Sequence, residues 1–265
     1  MSAIGIHPLK KPIRIRVGNG GSVALPPAMR QKIDRHWQRL VKDNPRLHNG
    51  EAFTVTAVNE TDESIEVELA ETDYAHYLYS HQVGGLGAFT VRIIHSTTLV
   101  ITADNKMIFG AMGKHTSRPG IIQCCGGGID HNDITNGIVD IEHNTARELA
   151  EELGLDPYDK NLVEAFFPAY LKSGGPTGKM TLAYVLCLKQ SGGQFLRQYE
   201  QFVADLKRCH EEPEFGQIFC IGTDKKSIEA FIGDSEDRLN EYMPVLLRTI
   251  GDVSDDGIAA AADVN

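Results

Sequence analysis

Ala146-Arg147-Glu148-Leu149-Ala150-Glu151-Glu152-Leu153-Gly154-Leu155 is the most informative stretch of the chain. At about 100° per residue, Ala146, Leu149, Ala150 and Leu153 form one apolar stripe, the mark of an amphipathic helix. Asp140 suits the helix start, and Gly154 falls where a left-handed residue closes a helix. Glu148, Glu151 and Glu152 occupy an arc of roughly 100° on another side. Their i, i+3, i+4 spacing crowds like charges, which destabilises a bare helix by ~0.2–0.5 kcal/mol per pair. A divalent cation reverses the sign of that interaction. Hard cations such as Mg²⁺ prefer carboxylate oxygens and keep waters that can be activated or replaced by phosphate. The plainer alternative is a solvated acidic face with an Arg147–Glu151 pair one turn apart.

Outward from this helix the chain reads as strands with a few interspersed helices, a mixed α/β (α+β) pattern. A short buried strand at 121–125 runs into Gly126-Gly127-Gly128. Residues 97–103 and 107–112 flank Asp104-Asn105-Lys106 as a hairpin. Residues 181–188 and 217–221 are expected strands, and 227–232 and 238–250 expected helices. Before the glycines at 84, 85 and 87, Ile33, Trp37, Leu40 and Val41 make one helical face that Asn44-Pro45 ends. Residues 53–57 and 65–69 alternate as a half-buried hairpin. The first 25 residues read as polar and glycine-rich. The expected division is an N-terminal extension over 1–88, a main domain over 89–251, and a flexible acidic tail over 252–265.

With 26 basic and 36 acidic side chains among 265 residues, the net charge is −10. That balance argues against a nucleic-acid polymer as partner, since binding a phosphate backbone needs a basic surface. No apolar run approaches the roughly 20 residues of a membrane span. The opening nine residues carry too short an apolar run for a signal peptide. The five cysteines are odd in number and contain no C-x-x-C pair, which argues against a disulfide framework or a zinc knuckle. A soluble, cytoplasmic protein is expected.

The pattern R-E-x-x-E-E-x-G fixes five positions, and one window matches it by chance at roughly 10⁻⁶. It resembles the core of the Nudix box, G-x5-E-x7-R-E-U-x-E-E-x-G-U with U aliphatic. The turn at Gly126-Gly127-Gly128-Ile129-Asp130 resembles the start of that box. The resemblance implies a Nudix-type mixed sheet sandwiched between helices, with residues 1–88 as an α+β extension. It implies a pyrophosphohydrolase acting on a small-molecule nucleoside diphosphate linked to another moiety, with Mg²⁺ or Mn²⁺ as cofactor. Glu151 and Glu152 are the implied metal ligands, and Glu148 a ligand or the base that activates water. Arg147 would orient Glu148, and the Gly126 carbonyl is a further candidate ligand. A later glutamate also serves in the family, and Glu211, Glu212 and Glu214 are the candidates, with Glu200 a weaker one. A homodimer is expected by analogy with such folds.

The chain departs from the box in one place. The family's glutamate eight residues before the arginine is Val139 here, and the glycines lie about six residues too far from the helix. Residues 130–137 therefore read as an inserted loop, with His131, Asn132 and Asp133 at its start. Trp37, Asn44-Pro45-Arg46-Leu47-His48-Asn49-Gly50, Tyr74 and Tyr77 resemble the N-terminal segment of a longer Nudix branch of UDP-sugar diphosphatases. Core packing is the plainer reading of Trp37 and Tyr74.

Lys114, His115 and Arg118 form a candidate phosphate clamp, against solvated loop charges as the alternative. His95 and His143 are acid/base candidates or structural histidines. Cys124 and Cys125 read as buried strand residues. The loop at 174–178 reads as mobile, or as a cover for substrate. Two further functions stay open: a non-catalytic Nudix-fold nucleotide-binding or sensor domain, motivated by Val139, and an isomerase of prenyl diphosphates. The cysteines beside the glycines do not resemble the isomerase motif.

Overall fold

The computed structural model describes residues 3–253. Residues 254–265 of the expected tail lie outside the described residues. The chain runs β1 (Gly5–Pro8), β2 (Ile13–Ser22), α1 (Pro27–Asp43), β3 (Glu51–Glu60), β4 (Ile65–Asp73) and α2 (Tyr74–Gln82). It continues through β5 (Ile94–Ile101), β6 (Lys106–Met112), β7 (Ile122–Gln123), β8 (Ile134–Thr135), β9 (Ile138–Val139) and α3 (Ile141–Leu153). The last elements are β10 (Val163–Ser173), β11 (Met180–Leu188), α4 (Gly192–Arg208), β12 (Phe215–Gly222), α5 (Lys225–Ser235) and α6 (Met243–Val253).

The fold is mixed α+β. A seven-stranded sheet has the order β1-β10-β11-β5-β6-β12, with β7 added on β6. Its β11–β5 pair is parallel and the pairs around it are antiparallel. Alternation along the strands explains why helices cover both faces. Leu99, Ile101, Met107 and Phe109 point to one side, where they pack on Ile228 and Phe231 of α5 and Leu246 and Ile250 of α6. Val100 and Ile108, one residue out of phase, point to the other side and meet Leu149 and Leu153 of α3 and Phe195 of α4. Central strands buried on both faces read as near-continuous apolar runs.

A second, five-stranded sheet has the order β3-β4-β2-β9-β8. Its residues Ile15, Phe53, Val67 and Leu69 share one core with Ile94, Ile141, Leu182 and Tyr184. Strands also cross between the segments before and after residue 88: β1 pairs with β10, and β9 pairs with β2 through Ile15 and Val139. Among the described residues, no helix is long and apolar enough to cross a membrane.

Several elements differ from expectation. The opening 25 residues, read only as polar and glycine-rich, carry β1 and β2, which gain pairing partners on the main sheet and on β4 and β9. The strand at 121–125 contracts to β7, and residues 236–238 form a 3-10 turn before α6 starts at Met243. Asp252 and Val253, expected in the tail, close α6. Two helices and one long strand, α2, α4 and β10, were not expected. In α2 a side-chain cap compensates for a weak apolar face: Asp73 Oδ1 accepts from the His76 amide at 2.9 Å.

Candidate functional site

The helix α3 begins and ends as its sequence dictates. Asp140 Oδ1 accepts from the His143 amide at 2.9 Å, and Gly154 closes the helix at φ 64°. Leu149 and Leu153 sit in the core, which fixes the rotation of the helix. That rotation buries Glu148 and Glu152 and leaves Glu151 exposed. Glu152 Oε2 accepts from the Gly126 amide at 2.8 Å. Glu148 packs its carboxylate against the Cα of Gly127, where a Cβ would collide with it. Gly126 holds φ 144° with its Cα against the Ser96 carbonyl. Gly126 and Gly127 are therefore glycine because β5 and the Glu148 carboxylate leave no room for a side chain, whereas Gly128 faces open space.

Arg147 is the hub of the charge network. Its guanidinium lies 2.9 Å from Glu148, 3.0 Å from Glu151 and 3.2 Å from Asp133. Asp133, from the loop at 130–137, has a side chain with no exposed surface. It also accepts from Asn144 Nδ2 and from the Asp130 amide, both at 2.9 Å. Asn144 in turn donates to the Gly128 carbonyl at 2.8 Å and accepts from Ser96 Oγ at 2.6 Å. Val139 is buried in the core shared by the two sheets. The loop at 130–137 thus brings a carboxylate to the arginine.

Burial pushes the Glu148 carboxyl up to about 7, and Glu151 and Glu214 add to this while Arg147 opposes it. Burial also lifts Glu152 well above the usual carboxylate range, with Glu214 and Glu148 adding. Glu214 is raised by burial and by Glu151, against the pull of His115. Of the three downstream candidates, Glu214 is therefore the one whose charge faces the helix. Glu212 turns to His115 at 3.0 Å and Glu211 is exposed, as is Glu200 on α4. Among the described residues, no group of three or more His, Cys, Asp or Glu side chains is arranged to hold a metal ion. The acidic group fits a divalent cation by charge and donor chemistry rather than by ready coordination geometry.

The glycine turn and Glu214 line a cavity of about 300 Å³. Residues before 88 supply part of its wall: Tyr74 and Tyr77 of α2, stacked at 5.6 Å and 25°, and Phe53 of β3. Trp37 meets Tyr74 edge-on at 6.3 Å, so it backs the cavity wall. A neighbouring groove of about 780 Å³ shares Tyr74, Tyr77, Arg118 and Lys179 with this cavity. The candidate clamp divides between them. Arg118 lines both spaces, whereas Lys114 lines only the groove and His115 is engaged by Glu212.

His95 lines the cavity, with Nε2 3.3 Å from Thr181 Oγ1 and Nδ1 without a hydrogen-bond partner. Burial, then Lys179 and Lys172, push its pKa down to about 3, so it is neutral at pH 7. His143 is exposed at the start of α3. Burial pushes the Cys124 thiol up to about 12 and lifts Cys125 well above the usual thiol range, so neither is a thiolate nucleophile near neutral pH. The loop at 174–178 is held down. Lys172 Nζ donates to the carbonyls of Gly174 and Lys179 at 3.0 and 2.9 Å, and Thr177 Oγ1 donates to Glu241 at 2.8 Å.

No family model matches the chain, and no curated protein matches it in sequence. Solved structures resemble part of the chain. DR0079 from Deinococcus radiodurans is 14% identical over 60% of this chain and 83% of its own, with a TM-score of 0.41. A Nudix hydrolase from Nitrosomonas europaea is 12% identical over 63% of this chain and 73% of its own, with a TM-score of 0.38. A bifunctional NMN adenylyltransferase/ADP ribose pyrophosphatase from Francisella tularensis, complexed with AMP and a Mn ion, is 12% identical. It covers 60% of this chain and 42% of its own, with a TM-score of 0.38.

Proposed function

We propose that the chain is a Nudix-type hydrolase that cleaves the pyrophosphate of a nucleoside diphosphate linked to another moiety, with Mg²⁺ or Mn²⁺ as cofactor. One observation carries this reading. Glu148 and Glu152, buried on one helix face, interact with Glu214 beside a glycine turn that lines a cavity, and their carboxyls repel one another. Glu148, Glu151, Glu152 and the Gly126 carbonyl would hold the cation, with Glu214 as further ligand or base. When bound, such an ion neutralises charge on the phosphate oxygens. Glu148, contacted by Arg147 at 2.9 Å, would take the proton of the attacking water. Arg147 orients that carboxylate, and Asp133 orients Arg147. Arg118 and Lys114 contribute positive charge for the phosphates. The segment from Trp37 to Tyr77 supports UDP-sugars as the narrower substrate class, in a soluble cytoplasmic enzyme.

A second reading, a non-catalytic nucleotide-binding domain, draws on one observation. Glu151 is tied to Arg147 and Glu152 to the Gly126 amide, so neither is poised as a ligand. The experiment is ³¹P NMR of a nucleotide-sugar panel with Mg²⁺ or Mn²⁺. Multiple turnover that disappears in Glu152→Gln supports the hydrolase. Binding by calorimetry with no product over hours supports the binding domain.

A further inference from the structure

We propose that Lys179 and Arg118 form an anion subsite that holds a phosphate of a nucleoside diphosphate without help from a divalent cation. The proposal rests on the reading of the cavity as the ligand site. Lys179 lies just before β11 and reaches α2 of the extension. Its Nζ donates to Tyr77 Oη at 2.7 Å and lies 5.1 Å from the centre of that ring. A phenol oxygen is a neutral acceptor and a ring face attracts a cation only weakly, so most of the ammonium's charge is unanswered.

The neighbouring carboxylate is already engaged. Glu241 Oε1 accepts from Lys172 Nζ at 3.1 Å and from Thr177 Oγ1 at 2.8 Å. Arg118 adds a second positive charge, and among the described residues it forms no ion pair. Burial and Arg118 hold the Lys179 ammonium down to about 8, with Glu241 opposing. A half-buried ammonium beside a guanidinium is unfavourable unless an anion joins them.

Position decides which anion. Both residues line the cavity that contains the glycine turn and Glu214, and both line the larger groove beside it. Arginine offers a flat pair of donors and lysine a point charge, the two kinds of donor that phosphate accepts. Tyr74, stacked on Tyr77 at 5.6 Å, continues an aromatic face along the shared wall, against which a planar base can lie. Phosphate and base together indicate a nucleoside diphosphate. The subsite needs both segments of the chain, since Tyr77 holds the lysine that the main sheet supplies.

The test is calorimetric titration of the full chain with UDP and with ADP in EDTA. Wild type is compared with Lys179→Met and Arg118→Gln. The proposal expects binding of at least one nucleotide, weakened by about tenfold or more in each variant. No binding to wild type in EDTA overturns it, and so does unchanged affinity in either folded variant. Arg118 is exposed, so Arg118→Gln carries the test even where Lys179→Met fails to fold. Lys179- and Arg118-dependent binding with no turnover in Mg²⁺ would sink the hydrolase and leave the subsite. Turnover with unchanged kinetics in both variants would do the reverse.

Discussion

Replacing Asp133 by alanine removes the acceptor on which three donors converge. Arg147 lies at 3.2 Å, Asn144 Nδ2 at 2.9 Å and the Asp130 amide at 2.9 Å, and the carboxylate has no exposed surface. Removing one partner of a buried ion pair costs ~3–5 kcal/mol. Arg147 keeps Glu148 and Glu151, so the lower end applies, about 3 kcal/mol. At ~2–4 °C per kcal/mol for a chain of this size, the melting temperature should fall by about 6–12 °C. Asp133→Asn keeps an acceptor oxygen and the shape but loses the charge, and should cost only about 1–2 kcal/mol. With Arg147 less firmly held, turnover should fall in both variants while KM changes little. Thermal unfolding by circular dichroism and a ³¹P turnover assay measure the two effects. An Asp133→Ala protein within about 0.5 kcal/mol of wild type, the range of an ordinary surface change, would refute the argument.

Millimolar Mg²⁺ or Mn²⁺ should raise the melting temperature of wild type and leave Glu152→Gln unmoved, because only a native-state ligand stabilises; a scanning fluorimeter decides this. Gly127→Ala drives a Cβ into the Glu148 carboxylate, so it should lower turnover at least about tenfold, read in the same ³¹P assay. Acid should destabilise the fold through its neutral histidines. His95 is held down to about 3 and His81 to about 4, both chiefly by burial. Below about 6.5 the unfolded chain takes up protons that the native state refuses. Stability should therefore drop as pH falls from about 6.5 toward 3, by up to ~1.4 kcal/mol per pH unit for His95. Urea titrations of wild type and His95→Gln at stepped pH check the slope, which should be shallower in the variant.

The central helix was legible because its information is local. The apolar stripe, the Asp140 cap and the Gly154 terminus each lie within a turn of what they determine, and α3 spans Ile141–Leu153 as they require. Strands with interspersed helices made the mixed α+β class legible, whereas the sheet sandwiched between helices rested on the family resemblance. Other elements carry a pattern that neighbouring residues mask. Ile13-Arg14-Ile15-Arg16-Val17 alternates with period two, but the glycines after it suggest a loop, and only pairing with β4 and β9 settles it as a strand. Phe195, Tyr199 and Phe202 share one face of α4, behind a capping box of Ser191 and Gln194 that the following glycines obscure.

The site's long-range contacts have no sequence period at all. Asp133 meets Arg147 from 14 residues away through the fold of the loop at 130–137. Lys179 meets Tyr77 across 102 residues. Among Glu211, Glu212 and Glu214, spacing alone favours none. The turn into β12 selects Glu214 by half-burying it and turning Glu212 toward His115.

The most direct test of the account is hydrolysis of a nucleotide-sugar panel in H₂¹⁸O with Mg²⁺ or Mn²⁺, followed by ³¹P NMR. Water attack on a pyrophosphate phosphorus predicts an isotope-shifted phosphate in one product, formed over many turnovers by wild type and absent with Glu152→Gln or with EDTA. No turnover with any substrate, turnover that survives Glu152→Gln, or ¹⁸O found only on the sugar carbon would contradict it.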